Sequence, residues 1–372
     1  MWMLFALYAC APPAKGSASP PVAAPPYAET DARYSSDGDG LVNVPVTVAD
    51  DDDVLMVVGN REGDGYLNVV SLTDPDGTVV LHDEDLWGSD ERLTHAPFLT
   101  SRVTTLNWPI GNGPLAPGTW TATLGLWTAS DDPDAGAEVQ VRTVVRRVPD
   151  QVVLPVWLLY AGGIENDPHL NLVPATEAAV ARWVELYAAV GITLDVHYGT
   201  TDVSYFLGPA NQADWTATYE GLEPRGLMVV IGGAIEDPAF PTFVNGECPS
   251  NPGPFVATPI SAVEVAGAVL ARDDGEFQDE EIETYATTLA HEVGHYLGLF
   301  HPVQLVDHSG DPPTAWAALA DTARCTTYDD CVDSLGDNVM FPFPICGRAG
   351  CTSGTVFSSD QGAVMRGWVG VR

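Results

Sequence analysis

The eleven residues HEVGHYLGLFH (291–301) decide how this 372-residue chain is interpreted. They match the pattern H-E-x-x-H-x-x-G-x-x-H, which fixes the spacing of three histidines, one glutamate and one glycine. With the amino-acid composition of this chain, the pattern would arise by chance about 2 × 10⁻⁵ times over its length. Coincidence is therefore a poor explanation, and the stretch predicts a specific chemistry.

The spacing of the histidines indicates a metal site. Residues four apart on an α-helix lie on one face, so His291 and His295 can direct two imidazoles at one ion. Gly298 then allows a left-handed turn that ends the helix, and the chain doubles back to bring His301 in as a third ligand. Three nitrogen ligands with an open fourth position are typical of catalytic zinc rather than structural zinc. The stretch thus predicts a catalytic Zn²⁺ site.

Glu292 directly follows the first histidine, so its carboxylate is expected close to the ion without binding it. Zinc can lower the pKa of bound water to about 7 and can polarise a carbonyl group. Glu292 would accept the proton of the attacking water and return it to the leaving amine. Together these groups predict hydrolysis of an amide bond in a protein or peptide substrate.

The stretch resembles the zinc signature of the metzincin peptidases, whose site is floored by a methionine turn. Asn338-Val339-Met340 matches that turn, and the resemblance implies that Met340 packs beneath the metal ligands. Further residues match the pappalysin-like branch of these peptidases: Asp321-Thr322, Phe357, Gln361 and Met365-Arg366. The resemblance covers roughly residues 152–372 and implies a metzincin-type α/β peptidase domain.

Two positions depart from that pattern. Members of the branch often have a tyrosine two residues after the turn methionine, where its hydroxyl could stabilise an oxyanion, but Pro342 stands there. Ala323 follows Asp321-Thr322 where proline is common. The first departure keeps a second hypothesis open, a surface-displayed binding or adhesion protein with an inactive peptidase-like domain. A non-peptidase metal protein that uses the same three histidines is a third.

Length and sequence pattern predict a multidomain α+β protein. A chain of 372 residues exceeds the size at which one hydrophobic core usually stops growing. Short β-branched and aromatic runs between Asp/Gly/Pro turns predict a β-sandwich, or jelly roll, at residues 34–150. Strands then alternate with helices, which predicts the α/β peptidase domain at residues 151–372.

Three elements of the second domain can be predicted in more detail. Residues 174–191 have apolar side chains at helical spacing and end on a glycine. The helix of the histidine motif is expected to begin near Asp279, a plausible N-cap, with acidic residues in its first turn that suit the helix dipole. Residues 255–272 are expected to supply an edge strand.

The N-terminus indicates export. MWMLFALYAC (1–10) is apolar, and a Pro/Ala/Ser-rich stretch follows it, so residues 1–33 resemble a bacterial export signal and tether. Leu7-Tyr8-Ala9-Cys10 resembles a lipobox, whose cysteine would be acylated. We therefore expect a protein of the bacterial cell envelope, anchored to the membrane only through Cys10, or a secreted protein. The alternative is a disordered tail with one stray cysteine.

The balance of charge excludes one class of partner. The formal net charge is −36, from 51 acidic and 15 basic side chains. Such a surface repels phosphate backbones and anionic lipid headgroups, which argues against binding to nucleic acid. Solubility is the preferred explanation for the acidity.

Other candidate ligands carry weaker signals. His308 and His197 are interpreted as a surface and a structural histidine. A calcium site beside the active centre could form from four acids, although a solvated acidic loop is preferred: Asp329, Asp330, Asp333 and Asp337.

The cysteines favour an oxidising compartment. Cys325/Cys331 and Cys346/Cys351 form two close couples, and Cys248 stands alone. Disulfides within each couple are the simplest pairing, but spacing does not fix connectivity, and Cys248 could pair with any of them.

Overall fold

The computed structural model describes residues 27–82, 92–93, 102–109, 115–149, 151–236, 244–305, 314–317, 319–342, 345–347, 350–352, 354–368 and 370. Residues 1–26 of the predicted export signal and tether, with Cys10, lie outside the described residues, as does His308. The described chain has a mixed α+β fold with several β-sheets, as the sequence predicts. None of its described helices combines the length and the hydropathy needed to cross a bilayer.

The N-terminal part is a β-sandwich of two antiparallel sheets. One sheet has the strand order β1-β9-β3-β7 and the other β2-β8-β4-β5, and apolar side chains from both fill the space between them. The strands of this region are β1 (Tyr27–Ser35), β2 (Leu41–Val48), β3 (Val54–Arg61), β4 (Tyr66–Thr73), β5 (Val79–His82), β6 (Arg92–Leu93), β7 (Val103–Trp108), β8 (Gly118–Trp127) and β9 (Glu138–Arg146).

The sequence predicts that the sandwich starts at residue 34, whereas its first strand, β1, starts at Tyr27. β1 covers the end of the segment expected to be a tether and pairs along its whole length with β9. It is a polar edge strand, held in part by the 3.0 Å ion pair between Arg142 and Asp31. Because an exposed edge strand has no need of an apolar run, the sequence pattern did not reveal it.

The second domain is built on a sheet with the order β11-β10-β13-β16-β15. Helices α1 and α3 pack on one face of this sheet, and α2 packs on the other. Its elements are β10 (Val152–Ala161), α1 (Leu172–Ala188), β11 (Ile192–Thr201), β12 (Phe206–Leu207), α2 (Gln212–Glu220), β13 (Leu227–Gly232), β14 (Ala234–Ile235), β15 (Gly246–Glu247), β16 (Val263–Ala266) and α3 (Asp279–Tyr296).

The edge of this sheet differs from the prediction. β16, within residues 255–272, lies inside the sheet and pairs in parallel with β13 and antiparallel with β15. The edge is formed by β15, whose two residues are too few and too polar to give a strand signal. Helix α3 begins at Asp279 as expected, but its N-cap is Gln278, which forms a capping box with Glu281.

The C-terminal part continues the second domain with short elements. These are β17 (Val303–Leu305), β18 (Thr314–Ala317), α4 (Tyr328–Leu335), β19 (Ile345–Gly347), β20 (Gly350–Thr352) and α5 (Ser359–Gly367). The expected disulfide between Cys325 and Cys331 is present, and Cys248 is a free thiol. The backbones of Cys346 and Cys351 lie opposite each other in the β19–β20 pairing. The expected disulfide between these two residues stays a prediction.

The sandwich and the second domain share a hydrophobic core. Along β3, Leu55 and Val57 face the inside of the sandwich, whereas Met56 and Val58 pack into the core of the second domain. β3 is therefore buried on both faces. The fully buried guanidinium of Arg146 also donates a 3.0 Å hydrogen bond to the carbonyl of Arg366. The two domains thus form one packed unit.

Shortening Met56, which is fully buried between the domains, tests this shared core. We expect Met56→Ala to reduce the free energy of unfolding by about 2–5 kcal/mol, because a cavity remains where apolar contacts are lost. Urea unfolding followed by circular dichroism gives this value. The control is Val79→Ala, at a side chain that is 51% exposed, with an expected change within about 0.5 kcal/mol. Equal effects of the two substitutions would contradict the packing of the sandwich against the second domain.

Candidate active site

The three histidines of the motif converge, as the sequence predicts. α3 places His291 and His295 one turn apart, and the chain after the helix brings His301 back to them. The three Nε2 atoms lie 3.1 Å from one another in each pairing. All three side chains are partly buried.

Backbone carbonyls orient two of these rings. Nδ1 of His291 donates to the carbonyl of Val339 at 2.8 Å, and Nδ1 of His295 donates to the carbonyl of Leu299 at 2.7 Å. Because a carbonyl only accepts hydrogen bonds, the proton of each neutral ring is on Nδ1 and the lone pair on Nε2. Burial lowers the pKa of His291, and burial with the nearby His291 lowers the pKa of His295 to about 3. Both rings are therefore neutral at pH 7.

The nitrogen atoms fit a zinc ion. Atoms 3.1 Å apart in a triangle lie about 1.8 Å from their common centre, less than the 2.0–2.1 Å of a Zn–N bond. His291, His295 and His301 would therefore be able to hold one such ion together. Without a cation, the lone pairs of His291 and His295 would face each other at 3.1 Å, which is unfavourable. The donor set thus suits a divalent metal.

The turn after α3 depends on Gly298. Its φ of 104° lies in the region that favours glycine. The turn is closed by hydrogen bonds from the amide of Gly298 to the carbonyl of His295 at 2.9 Å and from the amide of Leu299 to the carbonyl of Gly294 at 3.0 Å. It directs the carbonyl of Leu299 at His295 and sends the chain back towards the helix.

Glu292 lies against the edge strand of the sheet. A Cβ atom at position 246 would collide with the Glu292 side chain, so Gly246 of β15 lets strand and carboxylate approach closely. Burial and then the negative charge of Glu247 raise the pKa of Glu292 to about 8. The edge strand therefore forms part of the surroundings of this carboxylate.

Met340 packs against α3 at Gly294, next to His295. It is fully buried, and a Cβ atom at position 294 would lie only 2.5 Å from its Sδ atom, so Gly294 allows the thioether to reach the helix backbone. The Asn338 side chain accepts a 2.9 Å hydrogen bond from the amide of Met340. Asn338 and Gln361 also exchange two amide hydrogen bonds, at 2.8 and 3.1 Å. This pair holds both Met340 and the Val339 carbonyl that orients His291.

The remaining matched residues connect the site to its surroundings. Asp321 accepts hydrogen bonds from Ser358 and Asp360 at the start of α5, both at 2.9 Å. Phe357 packs edge-to-face on Tyr187, whose hydroxyl donates to a carbonyl of α3. Arg366 donates to the carbonyl of Val190 at 2.7 Å. These residues are structural supports.

The other candidate ligands do not join the site. Within the described part of the chain, His291, His295 and His301 form the group of side chains whose ligand atoms lie within 4.8 Å of one another. The four acids considered for calcium form no such group: Asp329 and Asp330 in the first turn of α4, Asp333 later in α4, and Asp337 after it. His197 stacks on Trp157 with a centroid distance of 4.8 Å, as befits a structural histidine.

Sequence reasoning missed several groups at the site. The carbonyls of Val339 and Leu299 orient the rings of His291 and His295. Every residue type has a backbone carbonyl, so the sequence does not distinguish these two. Gly246 and Glu247 belong to a strand too short to be recognised. Asn251 donates a 2.6 Å hydrogen bond to the carbonyl of Leu299, yet it lies far from the motif in sequence. The feature that marks Asn251 is its burial, and a single sequence does not reveal which asparagines are buried.

No protein-family model and no curated protein sequence matches this chain. Among solved structures, the chain is similar to metalloproteinase-II from Bacteroides fragilis, with a TM-score of 0.28 and 13% sequence identity. The similarity covers 50% of this chain and 56% of that protein, little more than half of its length. The interpretation of the site therefore rests on the geometry described above.

The contact between Gly294 and Met340 can be tested with a double-mutant cycle. Gly294→Ala places a methyl group against the sulfur, and we expect overpacking to reduce the free energy of unfolding by about 1–3 kcal/mol. Met340→Ala alone should cost about 2–5 kcal/mol because it leaves a cavity. In the double variant the methyl group has room, so its loss should be smaller than the sum of the two. Additive losses in urea unfolding would show that the two residues do not touch.

Proposed function

We propose that this protein is a zinc-dependent endopeptidase of the metzincin type, in its pappalysin-like branch. The observation that carries the proposal is the triangle of three Nε2 atoms, 3.1 Å apart, of which two belong to rings that donate their Nδ1 protons to backbone carbonyls. Glu292 follows the first of these histidines, and Met340 lies beneath the helix that bears them. Three neutral nitrogens with a carboxylate beside them match the donor set of a catalytic zinc site.

His291, His295 and His301 would hold the metal, and the Val339 and Leu299 carbonyls keep two of the rings aligned for it. When bound, zinc supplies Lewis acidity that polarises a substrate carbonyl and makes water a better nucleophile near neutral pH. Because the rings are fixed before metal arrives, little reorganisation is needed on binding.

Glu292 would move the proton of the reaction. The charge of a bound divalent cation would lower the pKa of Glu292 from about 8, and the ionised carboxylate would accept a proton from water as the water oxygen bonds to the scissile carbonyl carbon. It then donates that proton to the amide nitrogen as the carbon–nitrogen bond breaks, which releases an amine and a carboxylic acid. Partial burial against Gly246 keeps this carboxylate close to one position, which favours directed proton transfer.

The substrate and the location are further parts of the proposal. A peptide or protein substrate follows from the reaction type, and export to the cell envelope or secretion follows from the N-terminal sequence. The Cys325–Cys331 disulfide supports an oxidising compartment. The net charge of −36 supports a partner that is not nucleic acid.

One observation favours a second candidate, a binding protein with an inactive peptidase-like domain. The position two residues after Met340 is Pro342, which has no hydroxyl to stabilise an oxyanion. Its neighbour Phe341 is buried in a small cluster with the Cys325–Cys331 disulfide and also cannot act there. The two candidates differ in whether a zinc-loaded chain cleaves peptides.

The experiment compares the native chain with Glu292→Gln. We expect the variant to keep stoichiometric zinc, because no ligand is changed, and to cleave a mixed peptide library at least about 10²-fold more slowly, because the proton acceptor is lost. Zinc content is measured by atomic emission and cleavage by mass spectrometry. The matched control is Glu283→Gln on the same helix, a half-exposed carboxylate paired with Arg182, which should leave both readings unchanged.

The other outcomes separate the candidates. A native chain that holds one zinc ion and cleaves nothing would favour the binding protein. A native chain without affinity for zinc would overturn the proposed function. Equal cleavage by native chain and Glu292→Gln would remove Glu292 from its role.

A further inference from the structure

The carbonyl of Leu299 accepts two hydrogen bonds. One comes from Nδ1 of His295 at 2.7 Å and the other from Nδ2 of Asn251 at 2.6 Å. Asn251 is only 8% exposed, so this second bond is shielded from competing water. The carbonyl therefore joins a histidine of the site to a buried amide from another part of the chain.

The anchor matters because of the residue that precedes Leu299. Gly298 has no Cβ atom and the widest choice of backbone conformations, so the chain that follows it is weakly restricted by local sterics. Rotation of the Leu299–Phe300 peptide, which bears the carbonyl, would withdraw it from His295 Nδ1. A donor from outside the turn selects the orientation in which the carbonyl holds the ring.

The segment that carries Asn251 is itself fixed to the end of α3. The amide of Gly253 donates to the carbonyl of Tyr296 at 2.8 Å, and the Tyr296 hydroxyl donates to the carbonyl of Pro254 at 2.7 Å. The indole of Trp368 donates to the carbonyl of Gly253 at 2.9 Å. Asn251 is thus presented by a loop that is hydrogen-bonded to the last turn of the helix.

The sandwich holds the same loop from the other side. Thr105 of β7 is buried, and its hydroxyl donates to the carbonyl of Pro252 and lies 3.2 Å from the Ser250 hydroxyl. Ser250 in turn donates to the Pro252 carbonyl at 2.7 Å. The two residues that flank Asn251 are therefore both in contact with the sandwich.

A second connection reaches the chain after His301. β6, which lies between two strands of the sandwich in sequence, pairs in parallel with β18, and β18 pairs with β17. β17 begins two residues after His301. The region of the sandwich is thus linked to the end of α3 through the loop that carries Asn251, and to the chain after His301 through β18.

We propose that Asn251 is a positioning residue for His295, acting through the Leu299 carbonyl, and that the sandwich holds Asn251 in place through Thr105. This inference rests on the proposed zinc site and deepens it. It gives the sandwich a role in metal binding, in addition to any role towards substrate.

The test measures metal binding rather than peptide cleavage, on the full chain. The dissociation constant for Zn²⁺ is obtained by competition with a chromophoric chelator, and the absorption spectrum of the Co²⁺-loaded protein reports ligand geometry. Asn251→Ala removes the side chain, whereas Asn251→Asp keeps its size and removes the donor. The control is Asn211→Ala, which truncates another buried asparagine of the same domain, before α2 on the opposite face of the sheet.

We expect both Asn251 variants to bind Zn²⁺ about tenfold more weakly, at the low end for partners of metal ligands, and to alter the Co²⁺ spectrum. Asn211→Ala should lower the melting temperature without either change. Thr105→Val, which tests the hydrogen bond from the sandwich, should weaken Zn²⁺ binding in the same direction and by less. It also serves as the test if the Asn251 variants do not fold.

Two results would overturn the inference. One is zinc affinity and a Co²⁺ spectrum in Asn251→Asp that equal those of Asn211→Ala. The other, should neither Asn251 variant fold, is native zinc affinity in Thr105→Val. A native chain that binds no Zn²⁺ gives a distinct outcome, because it removes the proposed function together with this inference.

Discussion

The reversal of the chain at Gly298 is the constraint on which the candidate site depends. A helix alone can align His291 and His295, but a third ligand must come from a chain that returns to the helix, and the φ of 104° at Gly298 makes that return possible. The same turn directs the carbonyl of Leu299 at His295. One glycine therefore both ends the helix and allows the Leu299 carbonyl to reach the ring of His295.

The alignment of the proposed ligands comes from groups that are not themselves proposed to bind the metal. Val339 orients His291 from the methionine turn, and that turn is held by the Asn338–Gln361 amide pair. Leu299 orients His295 and is held by Asn251. In both cases a buried side-chain amide supports a backbone carbonyl, and the carbonyl fixes the tautomer of a histidine. In these two cases neutral groups keep the Nε2 lone pairs of His291 and His295 aligned.

Local geometry explains what the sequence could predict. The i, i+4 spacing, the glycine stop and the apolar runs of most strands are local signals, and they predicted α3, its turn and those strands. β1 escaped because it is a polar edge strand, and β15 because it is only two residues long. The apolar run of β3 predicted a strand, but not that Met56 faces a second domain. Residues that come into contact only through tertiary folding, such as Asn251 and Leu299, have no characteristic spacing in the sequence, so the sequence could not predict their contact.

The shared core would make domain packing and the proposed metal binding two aspects of one equilibrium. Met56 and Val58 belong to the same apolar cluster as Val293 of α3 and Met340 beneath it, so separating the sandwich would expose the support of the site. If separation weakens metal binding by some factor, bound metal must strengthen the packing of the sandwich by the same factor, since coupling between equilibria is reciprocal. A module that is merely tethered would show no such coupling. The sandwich is therefore better regarded as part of the scaffold that forms the metal site.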